Sequence, residues 1–214
     1  MIAFCRQFEL NHEVCGKIVV ASNDREIGFL ENLAQRGQQN GLEGLKYLTK
    51  AVNEYYADVF SKVYGFHTIG LRYFNVFGPK QNPNNPYAAV IPIFCKHFIE
   101  GSQPTINGDG LTSRDFTFVE NAVQANIRAL LFESLTKHEV FNTACGDQVT
   151  LNEMVEMLKR ISELDITAIY GPERAGDVKH SKASIEKIMQ LLSYDPKFRF
   201  NEGLKIVFNW YKSV

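Results

Sequence analysis

The chain has 214 residues, 45% of them hydrophobic and 22% charged, which is the composition of an ordinary globular protein of one large domain or two small ones. The net charge of −1 gives no electrostatic case for binding nucleic acid or an anionic membrane. The apolar runs are shorter than a membrane span, and residues 1–9 lack the pattern of a secretory signal, so a cytoplasmic protein is expected.

The four cysteines form no C-x-x-C pair, and the histidines show no metal-ligand spacing. Reduced thiols are therefore expected, and no metal site is predicted. The cysteines are Cys5, Cys15, Cys95 and Cys145.

Strand and helix patterns alternate along the chain, which favours an α/β fold. A short buried strand, GKIVVAS, is predicted at 16–22, and the polar, glycine-rich stretch before residue 46 is predicted to be loop. Apolar residues recur with a helical period from Lys46 to Tyr64, and HTIGLRYFNV then predicts a buried strand. A second helical period covers Ala88 to Ile99, and INGDG at 106–110 has turn chemistry that suits a hairpin.

The second half continues this alternation. RDFTFV, EVFNTA and DITAIY are predicted strands, and Thr150 with Glu153 has the spacing of a capping box at the start of an amphipathic helix. The remaining predicted helices cover residues 120–133, 184–192 and 202–212.

Four motifs of the chain follow one another in this order: LRYFNVFGPKQNPNNPYAAVIPIF, INGDGLTSRDFTFVENAV, FNTACGDQVTLNEMV and ERAGDVKHS. With these motifs the chain, from Thr49 onward, resembles the nucleotide-sugar epimerases of the extended short-chain dehydrogenase/reductase family, in particular the bacterial UDP-N-acetylglucosamine 4-epimerases of surface-polysaccharide synthesis. The resemblance implies a partial Rossmann-like parallel sheet with helices, joined to a small C-terminal α/β substrate-binding subdomain. Residues 1–80 would be the remnant of the NAD-binding domain, degenerate over 1–45. Residues 81–214 would be mainly the UDP-sugar subdomain, with Rossmann elements returning near 112–145.

In such an enzyme, hydride passes from the sugar C4 to NAD and returns to the other face of the keto-sugar. A tyrosine acts as acid and base, and a lysine four residues later lowers the pKa of the phenol and holds the nicotinamide ribose. Here Lys50 is in register with that lysine, but Lys46 occupies the tyrosine position and Tyr47 stands only three residues before Lys50. Tyr47 would point about 100° away from the required direction, so it is a doubtful catalyst.

The resemblance also implies binding roles for residues of the C-terminal half. Phe74 would lie near the nicotinamide, Asn75 would hydrogen-bond the sugar pyrophosphate, and Ala89 and Val90 would contact the nucleotide at a helix start. Thr105 and Asn107 would flank the uridine, with Thr105 standing where close relatives have an aromatic residue. The other implied contacts are a pyrophosphate clamp of Arg114 and Arg174, a ribose acceptor at Asp177, and Ser181 at a gatekeeper position where a small side chain leaves room for an N-acetyl group.

The NAD half departs from the family pattern. The sequence contains no G-x-x-G-x-x-G motif, and only 49 residues precede Lys50, fewer than two βαβ units require. When VVAS is aligned with the family's catalytic strand, Asn23 and Asp24 fall where the catalytic hydroxyl belongs, so 1–46 is either a drifted or a mis-framed copy of the catalytic segment.

The expected function is that of a truncated epimerase, weakly active or inactive, that keeps the UDP-sugar site. The alternatives are one half of a split enzyme, or a non-catalytic partner that forms a homodimer or heterodimer through the 46–64 helix.

Overall fold

The computed structural model describes residues 49–82, 90–173 and 178–214, with side chains from residue 53 onward. The chain divides into two compact units, residues 1–64 and 65–214. In the first unit the described element is the helix α1 (Thr49–Tyr64).

The second unit has short strands and helices in mixed order, which confirms the α/β class. Its strands are β1 (Ile69–Tyr73), β2 (Val76–Phe77), β3 (Thr105–Asn107), β4 (Ser113–Arg114), β5 (Thr117–Phe118), β6 (Glu139–Thr143), β7 (Val149–Thr150) and β8 (Ile169–Gly171). Its helices are α2 (Val90–Ile99), α3 (Val119–Leu130), α4 (Leu151–Ser162), α5 (Glu186–Leu192) and α6 (Phe200–Ser213).

The helical periods of the sequence correspond to helices in the structure. The periods predicted at 46–64 and 88–99 become α1 and α2 over their described residues. α4 begins with the predicted capping box, because the Glu153 amide donates to Thr150 Oγ1 (3.1 Å) and the Thr150 amide donates to Glu153 Oε2 (2.8 Å). Among the described helices, none combines the length and hydropathy needed to cross a bilayer.

The segment predicted as one long strand, HTIGLRYFNV, is divided into β1 and β2. The division lies at Asn75, whose φ of 38° is in the left-handed region that asparagine tolerates better than most residues. β1 pairs in parallel with β6, whereas β2 pairs in parallel with β5. The interruption therefore moves the chain from one strand pair to the next and leaves Asn75 at the junction.

The hairpin predicted around INGDG is wrong, although the turn itself is present. Gly108 and Gly110 both adopt positive φ, of 82° and 75°, as the turn chemistry requires. The strands on either side do not pair with each other: β3 pairs in parallel with β8, and β4 pairs antiparallel with β7. Strand partners distant in sequence replace the local pairing that the turn residues suggested.

The larger core combines phenylalanine rings with aliphatic side chains, many of them from α2, α4 and α6. The rings of Phe77 and Phe118 meet edge-on at a centroid distance of 5.6 Å, and Phe200 stacks at 5.0 Å from Phe116. Gly203 allows α6 to approach this cluster, because a Cβ at that position would lie 2.8 Å from both Phe77 and Phe118. This core includes Phe77 of β2, Ile106 of β3 and Phe118 of β5, and so supports these strands.

The smaller core covers one side of the β1–β6 pair. Phe141 of β6 packs with Ala125 of α3 and with Ile188 and Leu192 of α5. Tyr194 is also buried there and donates its hydroxyl to the carbonyl oxygen of Ala144 at 2.9 Å. Burial raises the pKa of the Tyr194 phenol, so this hydroxyl stays a hydrogen-bond donor at neutral pH.

Candidate UDP-sugar site

A cavity of about 300 Å³ lies where β2, β3 and β4 meet α2. Both polar and apolar side chains line it. Arg114 is the one charged side chain among the described lining residues, so the cavity suits a ligand that has an anionic group and an apolar part. The lining residues are Asn75, Val76, Phe77, Val90, Ile91, Ile93, Phe94, Thr105, Asn107, Thr112, Arg114, Phe116 and Leu151.

Asn75 is held at the cavity by two hydrogen bonds to the β4–β5 segment. Its side-chain Nδ2 donates to the carbonyl oxygen of Asp115 (3.0 Å), and its own carbonyl accepts from the Thr117 amide (3.3 Å). An amide nitrogen carries two hydrogens, so Nδ2 has a second one to donate to a ligand. The contact of this donor with a phosphate oxygen stays a prediction.

Arg114 extends from β4 into the cavity with part of its guanidinium already oriented. Its Nη1 donates to the carbonyl oxygens of Ser113 (2.9 Å) and Lys179 (3.4 Å). A guanidinium has five N–H donors in a planar fork, so these two bonds orient the group without exhausting it. The fork geometry suits a diphosphate better than a lysine ammonium would.

The segment that carries the predicted gatekeeper runs alongside β4. The Ser113 amide donates to the Lys179 carbonyl (2.8 Å), and the Ser181 amide donates to the Ser113 carbonyl (3.1 Å). The side chains of Ser113 and His180 are also hydrogen-bonded, with Oγ 2.9 Å from Nδ1. Ser181 is half-buried and adjacent to the Arg114 strand, but it is not among the residues that line the cavity.

Thr105 and Asn107 lie two residues apart on β3 and so share a face of that strand. Both line the cavity, and Asn107 is partly buried. The end of β3 is held in place because the Gly108 amide donates to the Gly171 carbonyl of β8 at 2.9 Å. Threonine and asparagine at this wall provide hydroxyl and amide groups for the edge of a base, and no ring for stacking.

Val90 is the first residue of α2 and lines the cavity together with Ile91 and Phe94. The first amide groups of a helix have no partner within the helix and favour a negative charge. Val90 therefore lies at the cavity, and its contact with the nucleotide through a helix start stays a prediction.

Asp115 lies directly behind the cavity wall, between Arg114 and Phe116, and is fully buried. Its carboxylate accepts from the amides of Cys145 (3.0 Å), Gly146 (3.0 Å) and Ala183 (3.3 Å). Burial raises the pKa of this carboxyl, and the three amide bonds act in the opposite direction. Burial likewise raises the pKa of the neighbouring Cys145 thiol to about 11, so this cysteine is an inert thiol at neutral pH.

The structure brings together around one cavity five of the predicted binding residues: Asn75, Val90, Thr105, Asn107 and Arg114. Phe74 is half-buried at the end of β1, where its amide donates to the Thr143 carbonyl at 3.1 Å, and it does not line the cavity. Four other predicted residues lie outside the described residues: Tyr47, Ala89, Arg174 and Asp177. Lys50 lies in α1, but its side chain is outside the described part.

Sequence reasoning missed Thr112, Phe116 and Leu151 as lining residues, and it missed Asp115 as the group behind the wall. A signal was available for two of them, because Asp115 and Phe116 follow Arg114 directly in the motif SRDF. Leu151 had none, since it reads as an ordinary apolar position of an amphipathic helix.

The described residues do not contain the glycine-rich turn with which Rossmann-like folds bind the pyrophosphate of a dinucleotide. No strand within 49–82, 90–173 or 178–214 is followed by a G-x-x-G-x-x-G turn, and the motif is absent from the sequence. Nor do these ranges contain a cluster of three or more side chains able to hold a metal ion.

The sequence pattern of the NAD dependent epimerase/dehydratase family matches residues 46–144. A UDP-glucuronate 4-epimerase of Thermodesulfobacterium geofontis is 30% identical over 165 residues, which cover 77% of this chain and 49% of that protein. The chain thus spans about half the length of this relative.

Two solved structures share the fold. A UDP-N-acetylglucosamine 4-epimerase from Methanobrevibacter ruminantium, in complex with UDP-N-acetylmuramic acid, is 38% identical with a TM-score of 0.72, over 80% of this chain and 58% of that one. The UDP-glucose 4-epimerase of Thermotoga maritima, solved with UDP-glucose, is 34% identical with a TM-score of 0.72, over 78% of this chain and 52% of that one. Motifs, fold and both kinds of comparison agree: the chain belongs to the NAD-dependent epimerase/dehydratase family.

Proposed function

We propose that this chain binds a UDP-sugar in the cavity between β2, β3, β4 and α2, and that it does so without NAD. The observation that carries the proposal is the lining of the cavity. The lining contains one guanidinium, two side-chain amides and two threonine hydroxyls, and its other side chains, including Val90 at the described start of α2, are apolar. The relatives with solved structures hold UDP-sugars, which have this combination of a diphosphate, polar hydroxyls and a flat base.

The roles of the lining residues follow from their chemistry. Arg114 and the Asn75 amide neutralise and orient the diphosphate, and Thr105 and Asn107 hydrogen-bond the uridine. Phe77, Phe94 and Phe116 exclude water, which strengthens the polar contacts. The small Ser181 beside β4 favours UDP-N-acetylhexosamines over UDP-glucose, with Arg174 and Asp177 completing the diphosphate and ribose contacts. Epimerase turnover is expected to be weak or absent, because Tyr47 is out of register with Lys50.

Calorimetry on the full chain tests this proposal. UDP and UDP-N-acetylglucosamine should release heat with a saturable isotherm, whereas inorganic pyrophosphate should bind more weakly and NAD should give no isotherm. An epimerase assay with and without added NAD should show little turnover in either case. Absence of UDP binding, or tight binding of NAD, would contradict the proposal.

We also propose that the chain associates through α1, either with a second copy or with a full-length epimerase. Tyr55, Val59 and Val63 recur every four residues on this helix and are 65%, 50% and 63% exposed, so they form an apolar stripe open to another helix.

Val59→Glu should shift the chain from dimer to monomer in light scattering after gel filtration. Val178→Glu changes a similarly exposed valine that is not part of α1, and it should leave the oligomeric state unchanged. A wild-type chain that is monomeric, and that does not co-purify with a full-length epimerase, would contradict association through α1.

A further inference from the structure

Asp115 is a buried carboxylate whose described partners are backbone amides. Its side chain is inaccessible to solvent, and its two oxygens receive the amides of Cys145, Gly146 and Ala183. Among the described ion pairs none includes Asp115. A carboxylate that accepts several amide hydrogens can be buried without a cation, because those dipoles replace its hydration.

The three amides belong to two segments that are distant in sequence from Asp115. Cys145 and Gly146 follow β6, and Ala183 lies in the segment 179–183. At the beginning of this second segment, the Lys179 carbonyl accepts a hydrogen bond from the Ser113 amide of β4. One carboxylate therefore ties the β6 end and the 179–183 segment to the strand pair that carries Arg114.

The main chain of Asp115 also reaches the cavity. Its carbonyl oxygen is the acceptor for Asn75 Nδ2, and its two neighbours, Arg114 and Phe116, both line the cavity. The Arg114 guanidinium in turn donates to the Lys179 carbonyl, on the segment that the carboxylate holds. A shift of Asp115 would therefore displace the two cavity donors, Arg114 and Asn75, together.

We propose that Asp115 is a positioning residue for the diphosphate of the nucleotide sugar: its buried carboxylate holds the β6 end and the 179–183 segment against β4, and so keeps Arg114 and Asn75 in place. This inference rests on the proposed UDP-sugar site. It assigns to Asp115 no contact with the ligand itself.

Asp115→Asn tests the proposal with little change of shape. The new NH₂ group would face backbone N–H donors, so at least one of the three amides would lose its acceptor. UDP affinity should fall by roughly five-fold or more, equivalent to about 1 kcal/mol. Uridine lacks the diphosphate, and its affinity should stay within about two-fold of wild type, since the base wall on β3 has no bond to Asp115.

Tyr194→Phe is the matched control. It removes another buried hydrogen bond near the β6 end, from Tyr194 to the Ala144 carbonyl, without touching the 179–183 segment. It should lower stability and leave the ratio of UDP to uridine affinity as in wild type. If Asp115→Asn lowers both affinities equally, or neither, the positioning role is overturned. If wild-type protein fails to bind UDP, the proposed function itself fails, which is a distinct outcome.

A measurement on wild-type protein covers the case in which Asp115→Asn does not fold. Amide hydrogen exchange followed by NMR reports the protection of the Cys145, Gly146 and Ala183 amides. Because the carboxylate couples them to the diphosphate donors, UDP should slow exchange at all three amides and uridine should not. Unchanged exchange with UDP would overturn the proposal.

Discussion

Replacing Arg114 with alanine should weaken UDP binding by about 10- to 100-fold, since a hydrogen bond to a charged group contributes about 1.5–3 kcal/mol. Arg114 is the one charged side chain among the described residues that line the cavity, so its loss leaves the diphosphate with neutral partners there. Calorimetry with UDP measures the change.

Two further variants separate geometry from charge. Arg114→Lys keeps the positive charge and loses the planar fork, so its affinity for UDP should fall between that of wild type and that of the alanine variant. Arg128→Ala removes an exposed cation from α3, outside the cavity lining, and should leave UDP affinity unchanged. Wild-type affinity in Arg114→Ala would mean that UDP does not occupy this cavity.

Gly110→Ala should destabilise residues 65–214 more than an ordinary glycine substitution does. Gly110 has a φ of 75°, and an added Cβ would lie 2.0 Å from Asn152 Oδ1. Asn152 cannot move aside freely, because its Nδ2 donates to the Asp109 carbonyl and its Oδ1 accepts from the Tyr170 hydroxyl. We expect a loss of about 2–5 kcal/mol in the free energy of unfolding, the sum of left-handed backbone strain and overpacking.

Gly101→Ala separates the two causes. Gly101 has a similar φ of 69°, but nothing lies within 4 Å of an added Cβ. Its cost should be the backbone strain alone, about 1–2 kcal/mol. Urea unfolding of both variants measures the difference, and the double variant Gly110→Ala with Asn152→Ala should recover part of the loss. Equal destabilisation by Gly101→Ala and Gly110→Ala would show that the contact with Asn152 has no energetic effect.

Most helices could be predicted from the sequence because their signals are local, and so could the positions of five of the residues that line the cavity. The capping box of Thr150 and Glu153 and the apolar period of α2 each lie within a few residues. The motifs YFNV and SRDF are also contiguous, so Asn75 and Arg114 were found by position in the chain. The cavity brings those two residues together as expected.

The partners of the strands could not be predicted in the same way. The turn at Gly108 and Gly110 suggested a hairpin, but β3 pairs with β8 and β4 pairs with β7. A turn determines where the chain can reverse, whereas strand pairing depends on which distant segments pack on the same core.

By itself, the sequence determined the family of this protein, its α/β class, the missing glycine motif and the mismatch between Tyr47 and Lys50. These are properties of residue type and spacing, which need no coordinates. Only the tertiary structure decided that Asn75 adopts a left-handed conformation, that Phe116 and Leu151 complete the cavity, and that Asp115 is tied to Cys145, Gly146 and Ala183. The physical reason is that each of these features depends on contacts between segments far apart in the chain, where the free energy of burying one group depends on the partners that folding supplies.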